Sequence, residues 1–570
     1  MNSAAGSTGT VALGGANTIN GTNIIVAGTE LLQNPLALQD LLLIYTLPDG
    51  KLDFGQLTNA TLGGLIGAEN LTLTNDALAP VALTLGFSTG PSLYTGFLAD
   101  AGLGGSLTMN GPGSQQIGAG SSGGATYQGG TTLNQGSLVL GGHTSSSGPV
   151  NLTGLNGVCN LTLQDSAFLT TTNTVYLASA GGITYPGICT LTMLGNSVLD
   201  AVAFSFGNTT RVPGGCFLLL TNNAIVNVTG DFELESAEGS TAQNNVVNLE
   251  GGILGVGNFT LVDGGATHQA TINFNGGVLL ATTNDPSGSQ WLPNLTGLTV
   301  NITNATVPAY INSSNYTITV ADPLVGGSDD GLVKLGSGAL YLTAANSYSG
   351  PTIVSNGSLY ISQSVNNTSE NFFVNDGQTF GALFDGSTTP QIGNLTLGNN
   401  AGFTTLAFTN LSSTSAAAFA AQAVALNGPC NVLIQDAVNL TAGEEYPLVH
   451  YSTIATNSGG GFTLSLPHGV QAILTNDTTI PALALVVTGI SVVPVFSTPV
   501  VSGNNLVLSA TGGTPGHSVS VLATSDLTLP KASWSTVATG TFDGNGDFSY
   551  TVTGALNSGQ PSQFYILSAQ

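Results

Sequence analysis

Positive charge is almost missing from this chain. Its 570 residues carry 4 Lys and Arg against 29 Asp and Glu, for a formal net charge of −25. The basic residues are Lys51, Arg211, Lys334 and Lys531. Nucleic-acid binding needs cations that neutralise phosphates and release counterions. Docking on an anionic membrane needs a polybasic patch. So few cations, so widely scattered, exclude both. Charged residues of either sign make up 6% of the chain, against roughly a quarter in ordinary soluble domains. The negative balance therefore comes from missing cations and not from an acidic tail. Helices laced by i,i+4 ion pairs are excluded with them.

Long apolar runs are also missing. The longest, Ile480 to Phe496, is rich in β-branched residues and broken by Pro494, so it reads as strands and no membrane span is expected. Met1 is followed by Asn-Ser-Ala-Ala-Gly, with neither the basic nor the apolar region of a signal peptide. Because the composition is so unlike that of a cytosolic enzyme, the numbering is read as starting at a processed end of an exported protein. Histidines are few and scattered (His143, His268, His450, His468 and His517), and none sits in a Ser/His/Asp or His-x-x-x-His arrangement. The Gly-rich stretches lack the Lys of a phosphate loop and read as turns.

What is abundant is glycine, at 79 residues, with Asn, Thr and Ser in the polar positions. These residues favour turns and strands. They are organised in repeats. Cys159-Asn-Leu-Thr-Leu, Cys189-Thr-Leu-Thr-Met and Cys216-Phe-Leu-Leu-Leu each open a segment, and Asn245 and Ala270 continue the column. A second column runs through Ser166-Ala-Phe-Leu, Ser197-Val-Leu and Ala224-Ile-Val. A third runs through Val175-Tyr-Leu, Phe204-Ser-Phe and Phe232-Glu-Leu. Three short strands per roughly 25–30 residues describe one coil of a β-helix, with each strand paired one coil up and one coil down. Alternation puts Cys159, Leu161 and Leu163 on one face, expected to be the interior. Two windows break the pattern, Leu36–Leu47 and Ser415–Leu426, and are read as helical insertions or edge covers.

The expected fold is therefore all-β: a right-handed parallel β-helix (β-solenoid) over 1–490, followed by a small C-terminal β-sandwich over 491–570. The second unit is marked by short alternating strands between Gly/Pro turns from Ile490 onward.

One unit is written out most fully at LVKLGSGALYLTAANSYSGPTIVSNGSLYIS. It resembles the autotransporter-associated β-strand repeat through Lys334, Gly336, Gly338, Leu340, Leu342, Asn346, Tyr348, Gly350, Thr352, Gly357 and Leu359. A copy at 124–142 matches through Tyr127, Gly129, Thr131, Gly136 and Leu138. A weaker copy at 9–32 has Ile19 where Tyr is usual. Leu440–Ile454 is similar to the closing part of such passengers. The resemblance implies a secreted bacterial right-handed parallel β-helix and leaves function open, because such units recur in adhesins and in large surface proteins. It does not extend to a translocator barrel. The tail is similar instead to small C-terminal β-sandwich domains of other secreted bacterial proteins, and the protein is read as something other than an autotransporter.

Candidate chemistry is sparse. Asp231, Glu233 and Glu235 alternate within a strand, with Glu238 beyond, so they share an outward face opposite Phe232 and Leu234. Such carboxylates would suit Ca²⁺ or glycoside hydrolysis, but Arg211 is the one basic residue in that region and a solvated face is the expectation. Asp543-Gly-Asn-Gly-Asp547 opens like a calcium loop, yet Phe548 stands where that loop needs Gly. A tight hairpin turn on Asn545-Gly546 is expected there. Cys159, Cys189 and Cys216 should stack as a buried ladder with poor disulfide geometry, and Cys430 lies far away. No catalytic, cofactor-binding or metal-binding residue is therefore assigned, and no cofactor is expected.

The function read from the sequence is a non-enzymatic extracellular structural protein, the β-helical subunit of a self-assembling filament, sheath or surface layer. Its partner would be itself, head to tail, through the β-helix ends and the N-terminal segment, where Thr10-Val-Ala-Leu enters the pattern with no charge before Glu30. The alternatives are an adhesin that binds cell-surface glycans and a polysaccharide-active enzyme.

Overall fold

The computed structural model describes residues 9–87, 90–120, 122–142, 148–154, 157–177, 188–207, 215–234, 243–261, 268–302, 307–326, 331–362, 371–383, 389–399, 402–457, 460–467, 469–477, 481–490, 494–513, 516–543, 546–556 and 563–569. The chain winds as a parallel β-solenoid. The strands from Thr10–Leu13 to Pro429–Ile434 pair with one another in parallel, each hydrogen-bonded to its counterparts in the flanking coils, with antiparallel bridges only as isolated contacts among the described residues. All three columns read from the sequence are real ladders. Cys159 pairs with Cys189, Leu191 with Leu218, and Asn245 with Ala270. Phe168 pairs with Val198, and Val198 with Ile225. Val175 pairs with Phe204, and Phe204 with Phe232.

The alternation fixes what lies inside. In Cys159–Leu163 and Cys189–Met193 every second residue is buried. Leu161, Leu191 and Leu218 therefore stack up one wall of a continuous apolar core. Aromatic rings stack in the same way. Phe204 and Phe232 lie face to face at 4.7 Å, and edge contacts carry the column on through Phe259 to Trp291.

The outside explains the missing charge. Stacked coils place equivalent side chains about 4.8 Å apart, a spacing at which like charges repel. Neutral amides instead bond to one another along the axis. Asn301 donates to Asn273 at 3.0 Å, and Asn273 to Asn248 at 2.9 Å.

The two windows read as helical insertions or edge covers form strands instead, Leu38–Tyr45 and Phe419–Leu426. Leucine and alanine favour helix locally, but each window lies between two coils that offer a ladder on both sides. Tertiary pairing overrides weak propensity. Among the described residues the one helical turn is the 3₁₀ turn Lys531–Ser533.

At the C-terminal side of the solenoid the pairing changes sense. Glu445–Thr456 runs parallel to Phe419–Leu426 but antiparallel to Ala482–Ile490, which also pairs antiparallel with Val470–Asp477. Further on, two antiparallel sheets form. One contains Val495–Phe496, Val500–Ser502, Asn505–Thr511 and Phe548–Val552. The other contains Ser518–Thr524, Ser535–Thr541 and Phe564–Ala569. Ala510, Val519 and Phe542 form their small shared cluster, against which Phe548 and Leu567 pack.

Candidate functional site

Two of the outward carboxylates, Asp231 and Glu233, lie among the described residues. Asp231 is exposed, while Glu233 is half-buried and accepts the Ser205 hydroxyl at 2.6 Å. Burial raises the Glu233 pKa, the Ser205 bond opposes that, and the charge of Asp231 adds to it. Along the ladder Glu233 stands between Ser205 and Thr260, and Asp231 beside Asn258. Among the described residues, no second carboxylate is paired with either one across the rungs. Glu235, Glu238 and Arg211 lie outside the described residues, as do His143 and His468.

The loop at Asp543 is held by its own backbone. Asp543 accepts the Asp547 amide through Oδ1 at 2.9 Å, and its own amide donates to the Asp547 carbonyl. Asn545 is outside the described residues. The Gly546 amide donates to the Asp543 carbonyl, so the chain turns tightly here as expected, while the strand before the turn has its ladder in one sheet and the strand after it in the other. Phe542 and Phe548 on its two sides pack against each other across the small core.

Sequence reasoning missed a polar cleft. Gly50–Asp53 ends one three-stranded sheet and Leu71–Thr72 begins another. Their coils are hydrogen-bonded on the adjoining face and meet again where the Asp76 amide donates to the Gly55 carbonyl. Between these points the ladder opens into a cavity of about 250 Å³, lined by Lys51, Asp53, Asn70, Thr72, Thr74 and Asp76 among others. Lys51 pairs with Asp53 at 2.8 Å, the one ion pair among the described residues. Burial works against the Asp53 carboxylate, but Lys51 and the Gly55 amide outweigh it and hold its pKa below the usual range. Convergent hydroxyl, amide and carboxylate groups suit a small polyhydroxylated ligand. Asp100 was missed as well. It is fully buried and collects the amides of Gly102, Gly104, Gly105 and Gln128 within 2.9 Å, so its charge is spent on holding a corner.

At the N-terminal side, Thr10–Leu13 pairs only with Gly28–Leu32, and Gly21–Ile24 only with Leu38–Tyr45, among the described residues. Neither edge strand carries a charge. One rung in, Glu30 points inward and takes both carboxylate oxygens to Asn23 Nδ2, at 2.8 and 2.9 Å.

The fullest repeats are built alike. Tyr348 bonds to Thr352 at 2.7 Å, and Tyr127 to Thr131 at 2.7 Å, with both pairs buried. A four-residue step thus carries a tyrosine hydroxyl into the core together with its partner. The glycines match too. A Cβ on Gly357 would lie 2.4 Å from the carbonyl oxygens of Gly336 and Gly338, and one on Gly136 would lie 2.2 and 2.6 Å from those of Gly111 and Gly113. In each copy a glycine with positive φ seats one coil corner on the Gly-x-Gly corner below it. The passenger-associated-transport-repeat family model matches residues 107–140 and 332–361. Those two segments are similar to passenger-associated-transport repeats. The weak copy at 9–32 lies outside the matched residues. No curated protein and no solved structure matches the chain.

Repeats of this kind belong to autotransporter passenger domains, which are surface-exposed or secreted, and with the solenoid they fit a structural or adhesin-like passenger. Among the described residues no helix is long and apolar enough to cross a membrane.

The two repeats differ in charge at one core position. Lys334 stands where the earlier repeat has Met109, and both are fully buried. Its Nζ donates to the carbonyls of Leu335, Gly336 and Asn356 at 2.7, 2.7 and 3.0 Å, so three donors meet three corner acceptors. Burial pulls its pKa down to about 7 from 10.5. The folded chain therefore releases this proton at lower pH than the unfolded chain. Between pH 7 and 10.5 the unfolded state binds more protons, and stability from this group rises with pH. Denaturant midpoints measured across that window should climb in the parent and lose this component in Lys334→Met. An identical climb in both would remove Lys334 as its source.

Proposed function

We propose that the protein is a non-enzymatic extracellular structural subunit whose β-solenoid assembles head to tail into a filament, sheath or surface layer. The observation that carries this reading is the pair of uncharged N-terminal edge strands, Thr10–Leu13 and Gly21–Ile24. Exposed strand edges template further strands unless charge, proline or a cover blunts them. In this proposal a second copy supplies a further coil of the same pitch to these edges. Such a contact is heterologous, so it propagates unless it closes into a ring. The neutral amide ladders support the reading, because they let coils stack at this spacing with no like charges opposed along that face.

Negative-stain microscopy of the purified chain at high concentration is the test. Filaments or sheets with an axial repeat of one rod length are expected. Dispersed monomers at all concentrations would contradict the proposal. An adhesin is the second reading, favoured by the polar cleft at Lys51 and Asp53, and glycan-array binding abolished by Asp53→Ala would support it.

A further inference from the structure

The cysteine ladder does something the sequence did not suggest. Cys159 and Cys189 face each other across adjacent coils in strict register, and their sulfurs lie 2.6 Å apart. Both are fully buried. Adjacent parallel strands put Cα atoms about 4.8 Å apart, inside the span a disulfide bridges. The expected obstacle was that parallel side chains would hold the sulfurs apart. Instead the two side chains turn toward each other. Cys189 Sγ also lies 3.4 Å from the carbonyl oxygen of Leu152, which belongs to the coil of Cys159. On the far side, the Cys216 amide donates to Asn245 at 3.0 Å. Cys430 pairs along its ladder with Thr404 and Phe462, not with a cysteine.

We propose that Cys159 and Cys189 form a disulfide that staples two consecutive coils, while Cys216 and Cys430 stay as thiols. The setting rests on the exported reading, because disulfides persist outside reducing compartments. Each thiol gives up its hydrogen and one S–S bond forms. The two electrons and two protons pass to a disulfide oxidant, which is reduced to its dithiol. Since the folded site is sealed, oxidation precedes closure of the coils, while the segment is still extended. The bond closes a loop between residues 30 apart, which constrains the unfolded chain and favours the folded one.

The test uses two samples: protein recovered from its native compartment, and chain refolded from denaturant in a glutathione redox buffer. Each is denatured and alkylated with and without reductant, weighed intact, and mapped with a protease that does not need Lys or Arg. Two alkylated cysteines without reductant, four with it, and a Cys159–Cys189 linked peptide are expected in both. Cys189→Ser should abolish the bond, and Cys216→Ser should leave it. The reduced protein should unfold at lower denaturant concentration than the oxidised one. Four alkylated cysteines without reductant in both samples, or a bond between Cys189 and Cys216, would overturn the proposal. A bond in the refolded chain beside four thiols in the native material would uphold the pairing and overturn the exported reading.

Discussion

Replacing Leu191 with Asp should unfold several coils at once. Leu191 is fully buried between Leu161 and Leu218 in one apolar column. Its substitution places a charge with no partner inside a low-dielectric core, and the carboxyl must either pay desolvation or take up a proton. Together with the lost packing, the cost should exceed about 4 kcal/mol. In a solenoid each coil is held by its neighbours, so damage spreads along the stack from the mutated rung. The β-sheet circular-dichroism signal and the melting temperature should both fall. Thr190→Asp is the control. It changes the next residue, which faces outward, and should cost about 1 kcal/mol or less. Equal behaviour of the two variants would refute the inward assignment of the column.

Gly357→Val should be the second large effect. Gly357 has a φ of +78°, and its Cβ would sit 2.4 Å from two backbone oxygens of the coil below. Neither obstacle is a movable side chain. Backbone strain and the forced separation of the corners together should cost about 3 kcal/mol or more. Gly377 separates the two causes. Its φ is +82°, but no atom lies within 4 Å of its would-be Cβ. Gly377→Asn should cost about 1 kcal/mol or less, since Asn tolerates that conformation. If both variants melted alike, corner stacking would not be what these glycines provide. Urea midpoints for the two variants and the parent decide the matter.

The columns were legible in the sequence because every coil repeats the same alternation. One inward residue, such as Leu161, predicts the next at Leu191. The repeat signature was legible for the same reason, as Tyr348, Thr352 and Gly357 recur at Tyr127, Thr131 and Gly136. What could not be read was whatever depends on distance between coils. Lys334 was visible as a pattern position, but its three carbonyl acceptors come from two different corners. The sulfur contact between Cys159 and Cys189 depends on side-chain rotation, which spacing does not encode. The cleft beside Lys51 exists because one ladder opens for a few residues, and no composition change marks that place. The windows 36–47 and 415–426 misled because their leucine and alanine content speaks only for local preference.

The central claim is that uncharged N-terminal edge strands join one copy to the next. Deleting residues 1–32 removes Thr10–Leu13, Gly21–Ile24 and Gly28–Leu32 together. Sedimentation velocity and electron microscopy of this truncation beside the parent test the claim most directly. The account predicts filaments for the parent, and for the truncation a folded single species with the parent's β-sheet signal. Filaments of unchanged repeat from the truncation would contradict it.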